Sequence, residues 1–151
     1  MTNSQHIAEE LQDLIQISRD GQEGYRYGAE HAKDPQLMRL LNEVSLERAK
    51  FAGDLEAAAV RWGKPDVDRS GTTLGAVHRG WSDLKAALGG GDDAILSSIE
   101  TGDELAQKRY DEAISDEGLP DDVVGILRNQ AQAIVGTLDR IRALRRMRKA
   151  A

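Results

Sequence analysis

The sequence predicts an all-α four-helix bundle in the order up, down, down, up, with a short helix in the long crossover connection between its second and third long helices. Three observations carry this. Apolar residues recur at steps of three and four along four long stretches, a two-residue joint (Asp34-Pro35) separates the first two, and nowhere does the pattern alternate as a strand would. A length of 151 residues with 40% hydrophobic and 4% aromatic content suits one helical domain over 1–151 better than two domains or a disordered chain.

The first helix, about 4–33, sets Ile7, Leu11, Leu14, Ile15, Ser18, Gln22, Tyr25 and Ala29 on one stripe. Asp34 suits the cap of a following helix and Pro35 its first position. Two residues cannot support a crossover, so the second helix, about 35–62, folds back antiparallel and buries Leu37, Leu40, Leu41, Val44, Phe51, Leu55 and Ala59. The segment 63–72 is rich in turn formers and reads as a loop; a connector helix, about 73–88, follows with Leu74, Val77, Trp81, Leu84 and Leu88 on one side. Three glycines, 89–91, end it. Asp92 is expected to cap the third long helix, about 93–116, whose stripe is Ile95, Ile99, Gly102, Asp103, Ala106, Tyr110 and Ala113. Pro120, Asp121 and Asp122 open the last, about 120–149, where acidic residues favour the positive end of the helix dipole. Its stripe is Val123, Leu127, Gln130, Ala131, Ile134, Leu138, Ile141 and Arg145. About 30 residues between the second and third long helices are enough to travel the length of a bundle, which sets the predicted order.

Composition excludes several functions. Twenty basic against 26 acidic side chains give a net charge of −6, contrary to the basic footprint of a general nucleic-acid or anionic-membrane binder. The absence of cysteine excludes disulfides, thiolate metal sites, iron–sulfur clusters and cysteine nucleophiles. With no apolar run of about 18 residues and a polar N-terminal region, the chain is expected to be soluble and cytoplasmic. Catalysis has little support: His6, His31 and His78 are far apart, and neither a phosphate-cradling glycine loop nor a nucleophile elbow is present. His6 and His31 fall on exposed faces, and His6 with Glu9 or Glu10 reads as a surface helix pair.

Four segments carry a family likeness: DGQEGYRYGAEHAKDP in the first hairpin, LERAKFAGDLE in the second helix, HRGWSDLKAALGGGDDAIL in the connector and ETGDELAQKRYDEAI in the third long helix. Over about Leu11 to Arg145 the chain resembles a bacterial ferritin-like four-helix-bundle family of unknown function, distantly similar to rubrerythrin and ferritin-like proteins. The connector motif is the most specific, because no generic bundle requires Trp81, Lys85 and the GGDD turn. The resemblance implies a ferritin-like fold crossed by its connector and a connection with stress or storage physiology; it implies no established activity.

Ferritin-like di-iron proteins use one Glu from each of two helices and a Glu-x-x-His pair from each of the other two. This sequence has no Glu-x-x-His; Lys50 stands at the His spacing after Glu47, and Ser18 stands seven residues before Tyr25, where rubrerythrin-like relatives carry Glu. Glu23 points nearly opposite the first stripe and is expected in solvent. The inward polar residues are instead Ser18, Gln22, Arg48, Asp103 and Gln130, with Glu47 and His78 nearer the flanks. The expected arrangement is a buried Arg48–Asp103 ion pair with amide and hydroxyl neighbours, against the alternative that both side chains snorkel outward. No metal and no cofactor are expected; the alternative ligand set is Glu47, Asp103, Glu104 and His78, which would suit iron or manganese.

Gly21, Gly24 and Gly28 lie on one side of the first helix, and each costs about 1 kcal/mol relative to Ala. Close approach of another helix, from the connector or from a second subunit in a homodimer, would account for them, as would local fraying. Trp81, Leu84 and Leu88 are expected to pack the connector rather than form a binding platform. Arg140, Arg142, Arg145, Arg146, Arg148 and Lys149 make the last helix end strongly basic, which fits a solvated end that complements the dipole; the alternative is contact with a polyanion. The reading as a whole is a non-enzymatic structural or interaction protein with no standard di-iron site. The alternatives are an iron-handling ferritin-like oxidase and a polyanion-binding module.

Overall fold

The structure, a computed structural model, describes residues 3–63 and 90–150. Four helices occupy those residues: α1 (Asn3–His31), α2 (Pro35–Arg61), α3 (Gly91–Ile114) and α4 (Asp121–Ala150), with no strand among the described residues. The connector helix expected at 73–88, with His78, Trp81, Leu84 and Leu88, lies outside them.

The Asp-Pro joint folds as its chemistry dictates. Asp34 takes an extended conformation and accepts the Gln36 amide at 2.9 Å, while Pro35 occupies the first turn of α2, where no amide hydrogen is needed. The chain therefore reverses in three residues, and α2 lies antiparallel on α1. A longer turn, 115–120, does the same for α3 and α4.

Contacts between the hairpins settle their relative direction. Asp92, at the start of α3, meets Lys33 and Asp34; His6, at the start of α1, meets Asp116 beyond the end of α3; Arg61, at the end of α2, approaches Asp122 at the start of α4. So α3 runs antiparallel to α1 and in the same direction as α2.

The predicted stripes of α2 and α3 are buried throughout, as is that of α4 up to Arg145, which is half-buried. The buried face of α1 is wider than its stripe: Ile17, Asp20, Gly21, Gly24 and Gly28 are also covered, while Gln22 is only half-buried. The cause is that α1 packs on two neighbours at once. At Gly28 an added Cβ would lie 3.2 Å from both Ile95 Cγ2 and Leu41 Cδ1. At Gly28, then, α3 and α2 supply a close approach of the kind expected of these glycines; the connector lies outside the described residues.

A second correction concerns Asp92. Gly91, at φ +73°, adopts a conformation open to glycine, and α3 begins there, two residues earlier than expected, so Asp92 lies inside the first turn rather than capping it. Its buried carboxylate instead accepts the backbone amides of Lys33 (2.8 Å) and Asp34 (3.0 Å). One hairpin thereby satisfies the turn of the other.

Candidate functional site: the polar layer inside the bundle

Halfway along the bundle, the 3.6-residue period of α2 and α3 turns Arg48 and Asp103 inward, and they meet. Arg48 Nη1 and Nη2 donate to Asp103 Oδ1 and Oδ2 at 2.7 and 2.8 Å, a two-pronged pair with 2% and 0% of the side chains exposed. Tyr25 of α1 donates its hydroxyl to Asp103 Oδ2, and its ring lies 5.0 Å from the guanidinium carbon, a cation–π contact. Burial lowers the affinity of the guanidinium for its proton, but the charge of Asp103 and its hydrogen bonds more than reverse this, so Arg48 stays charged.

A second chain of hydrogen bonds completes the layer. Tyr110 donates to Gln130 Oε1 at 2.6 Å, and Gln130 Nε2 donates to the Phe51 carbonyl at 3.3 Å, which fixes the orientation of the amide. With the phenol proton committed to Gln130, the Ser18 hydroxyl donates to Tyr110 at 3.3 Å. Burial, first, and the charge of Asp103 push the Tyr25 phenol well above its ordinary range; burial pushes Tyr110 up to about 12. Both tyrosines are therefore neutral donors at physiological pH.

Of the polar residues the stripes turn inward, the structure brings Ser18, Arg48, Asp103 and Gln130 into this layer. Gln22 is not among them: its Oε1 accepts from Arg19 at 3.1 Å, and its carbonyl accepts from Ser45 at 2.9 Å. Tyr25 and Tyr110, which the stripes include only as apolar bulk, supply the hydroxyls that tie the layer together.

A di-iron centre does not fit these residues. Asp103 is saturated by Arg48 and Tyr25, and the guanidinium places a fixed positive charge where a cation would sit. Of the alternative ligand set, Glu47 is half-buried, Glu104 is exposed and 3.7 Å from Arg142, and His78 lies outside the described residues. Glu23 is exposed.

The periphery departs from expectation in two places. The basic end of α4 is not simply solvated: Arg145 reaches Glu100 at 2.9 Å, Arg148 reaches Asp93 at 2.6 Å, and Arg142 lies 3.7 Å from Glu100. Antiparallel packing sets the acidic face of α3 opposite this basic run, and Arg140, Arg146 and Lys149 are left exposed. His6, expected on an open face beside Glu9 or Glu10, is half-buried with Nε2 2.5 Å from Asp116 Oδ2. His31 is exposed and bonds the carbonyl of Tyr27 in its own helix at 2.8 Å. An open groove of about 540 Å³ between α2 and α4, walled by Leu37, Leu40, Leu144 and Met147, gathers no set of groups suited to acid–base or nucleophilic work.

Residues 6–116 match the family model described as a domain of unknown function, DUF2383. The chain belongs to the DUF2383 family. The match takes in α1, α2 and α3, and so Tyr25, Arg48 and Asp103 of the polar layer, while Gln130 on α4 lies beyond it. No curated protein matches this DUF2383 chain. No helix among its described residues is long and apolar enough to cross a membrane.

Proposed function

We infer that the protein is a ferritin-like bundle serving as a non-enzymatic structural or interaction protein, with an ion pair at the level where di-iron members of that fold hold their metals. The observation that carries this reading is the two-pronged Arg48–Asp103 pair, closed by Tyr25 and shielded from water. A buried carboxylate that already accepts three hydrogen bonds has little left to offer a metal, and losing its arginine would leave it an uncompensated charge. The layer thus joins helices instead of presenting a reactive group, and a connection with stress physiology belongs to the same reading.

The test is ferrous oxidation. Anaerobic protein given two equivalents of ferrous iron and then air is expected to oxidise it no faster than buffer does. Oxidation well above buffer that survives His6→Ala but is lost in Asp103→Ala would overturn the reading and assign an iron-handling oxidase.

A further inference from the structure

At the end of the bundle opposite Asp92, His6 and Glu10 stand one turn apart on α1, and Asp116 follows the last turn of α3. One nitrogen or oxygen from each of the three falls within 4.8 Å of the others, and all three side chains are half-buried. Neighbours hold each group. The Gly118 amide donates to Asp116 Oδ1 at 2.8 Å, leaving Oδ2 turned to His6 Nε2. Arg109 donates to Glu10 Oε2 at 2.6 Å and to Asp13 at 3.2 Å, which orients Glu10 and divides the guanidinium charge between two acids. Gly118 itself backs the imidazole: a Cβ there would lie 2.9 Å from His6 Cδ2.

We propose that His6, Glu10 and Asp116 form a binding site for one divalent transition-metal ion of the zinc type. One imidazole nitrogen and two carboxylate oxygens are a donor set for a borderline metal, and neighbours that orient the ligating carboxylates are what such sites require. Bonds of about 2.0–2.2 Å place ligand atoms about 3.3 Å apart in a tetrahedral site, so the His6–Asp116 contact opens by less than 1 Å as the ion takes the place of the shared proton. The ring proton is then carried on Nδ1, reached by exchange with solvent, so that Nε2 offers its lone pair to the ion, and water fills the remaining position on the open side. The ion would fasten the first turns of α1 to the end of α3, two segments 110 residues apart in the chain. This site is separate from the polar layer and does not rest on the function inferred for it.

Tag-free full-length protein, stripped with chelator, is titrated with zinc chloride by calorimetry at pH 7.5 and melted with and without zinc. The expected result is one zinc per chain and a rise in Tm of about 5 °C or more at a hundredfold excess over Kd, reversed by EDTA. His6→Ala and Asp116→Asn, each checked for native helicity without metal, should weaken zinc binding at least tenfold and abolish the rise, whereas His31→Ala should retain both. Parent protein that takes up no zinc at 1 mM would overturn the proposal. So would undiminished binding in both His6→Ala and Asp116→Asn.

Discussion

Two carboxylates of this molecule face a nitrogen base on another helix at nearly the same distance, and their surroundings make them different objects. Asp103 meets Arg48 at 2.7 Å with neither side chain more than 2% exposed; Asp116 meets His6 at 2.5 Å with 23% and 35% exposed. In the dry interior each charge depends on its partner, because water cannot replace it. At the wet end either member can be hydrated, and the same pairing contributes little to folding. Proximity therefore says less about the role of an ion pair than the water around it.

The largest effect that could break this comparison is at Arg48. Arg48→Met should lower stability by about 3–5 kcal/mol in urea unfolding at pH 7, and adding Asp103→Leu should restore much of the loss, because two apolar side chains strand no charge. An unchanged melting temperature in the single variant would place both pairs in the same class. Next comes an alkaline limb. Folding raises the pKa values of Tyr25 and Tyr110, so the unfolded chain releases protons first; their contribution is complete below about pH 10 and is lost as pH rises towards 12. Melting curves followed by circular dichroism should thus be level from pH 7 to 9 and fall above 10, less steeply in Tyr110→Phe. The smallest effect belongs to the wet pair. In metal-free buffer His6→Ala should cost less than about 1 kcal/mol by urea unfolding. The Gly118 amide, above all, and then His6 hold the Asp116 carboxyl below its usual range, so its contribution is present above about pH 4 and fades as pH falls through the lowered value. Asp116→Asn should flatten that acid limb and leave the alkaline one unchanged.

The two regions also differ in how far the sequence foretells them. Helical rotation alone turns Arg48 and Asp103 to the same interior, since each sits in register with the apolar stripe of its own helix, and the Asp-Pro joint leaves α2 no choice of direction. The hydroxyls of Tyr25 and Tyr110 are harder to foresee, because an aromatic on a buried stripe reads as bulk until its distance to a partner is known; a large phenol at the level of an inward charge is the signal that was there to use. The His6–Asp116 contact was not legible. It depends on the axial offset between α1 and α3, and periodicity encodes which way a side chain turns but not how high its helix sits. The partners of Arg142, Arg145 and Arg148 are hidden for the same reason: they lie on α3, across the bundle.

Asp92 bears on how this molecule can come apart. Because it supplies acceptors for two amides in the reversal between α1 and α2, that reversal is complete only when α3 is docked beside it. If the hairpins part, the first is left with two bare donors and the second with an unpartnered carboxylate, so exchange of the Lys33 and Asp34 amide hydrogens should track departure of the second hairpin, tying the two halves into one cooperative unit.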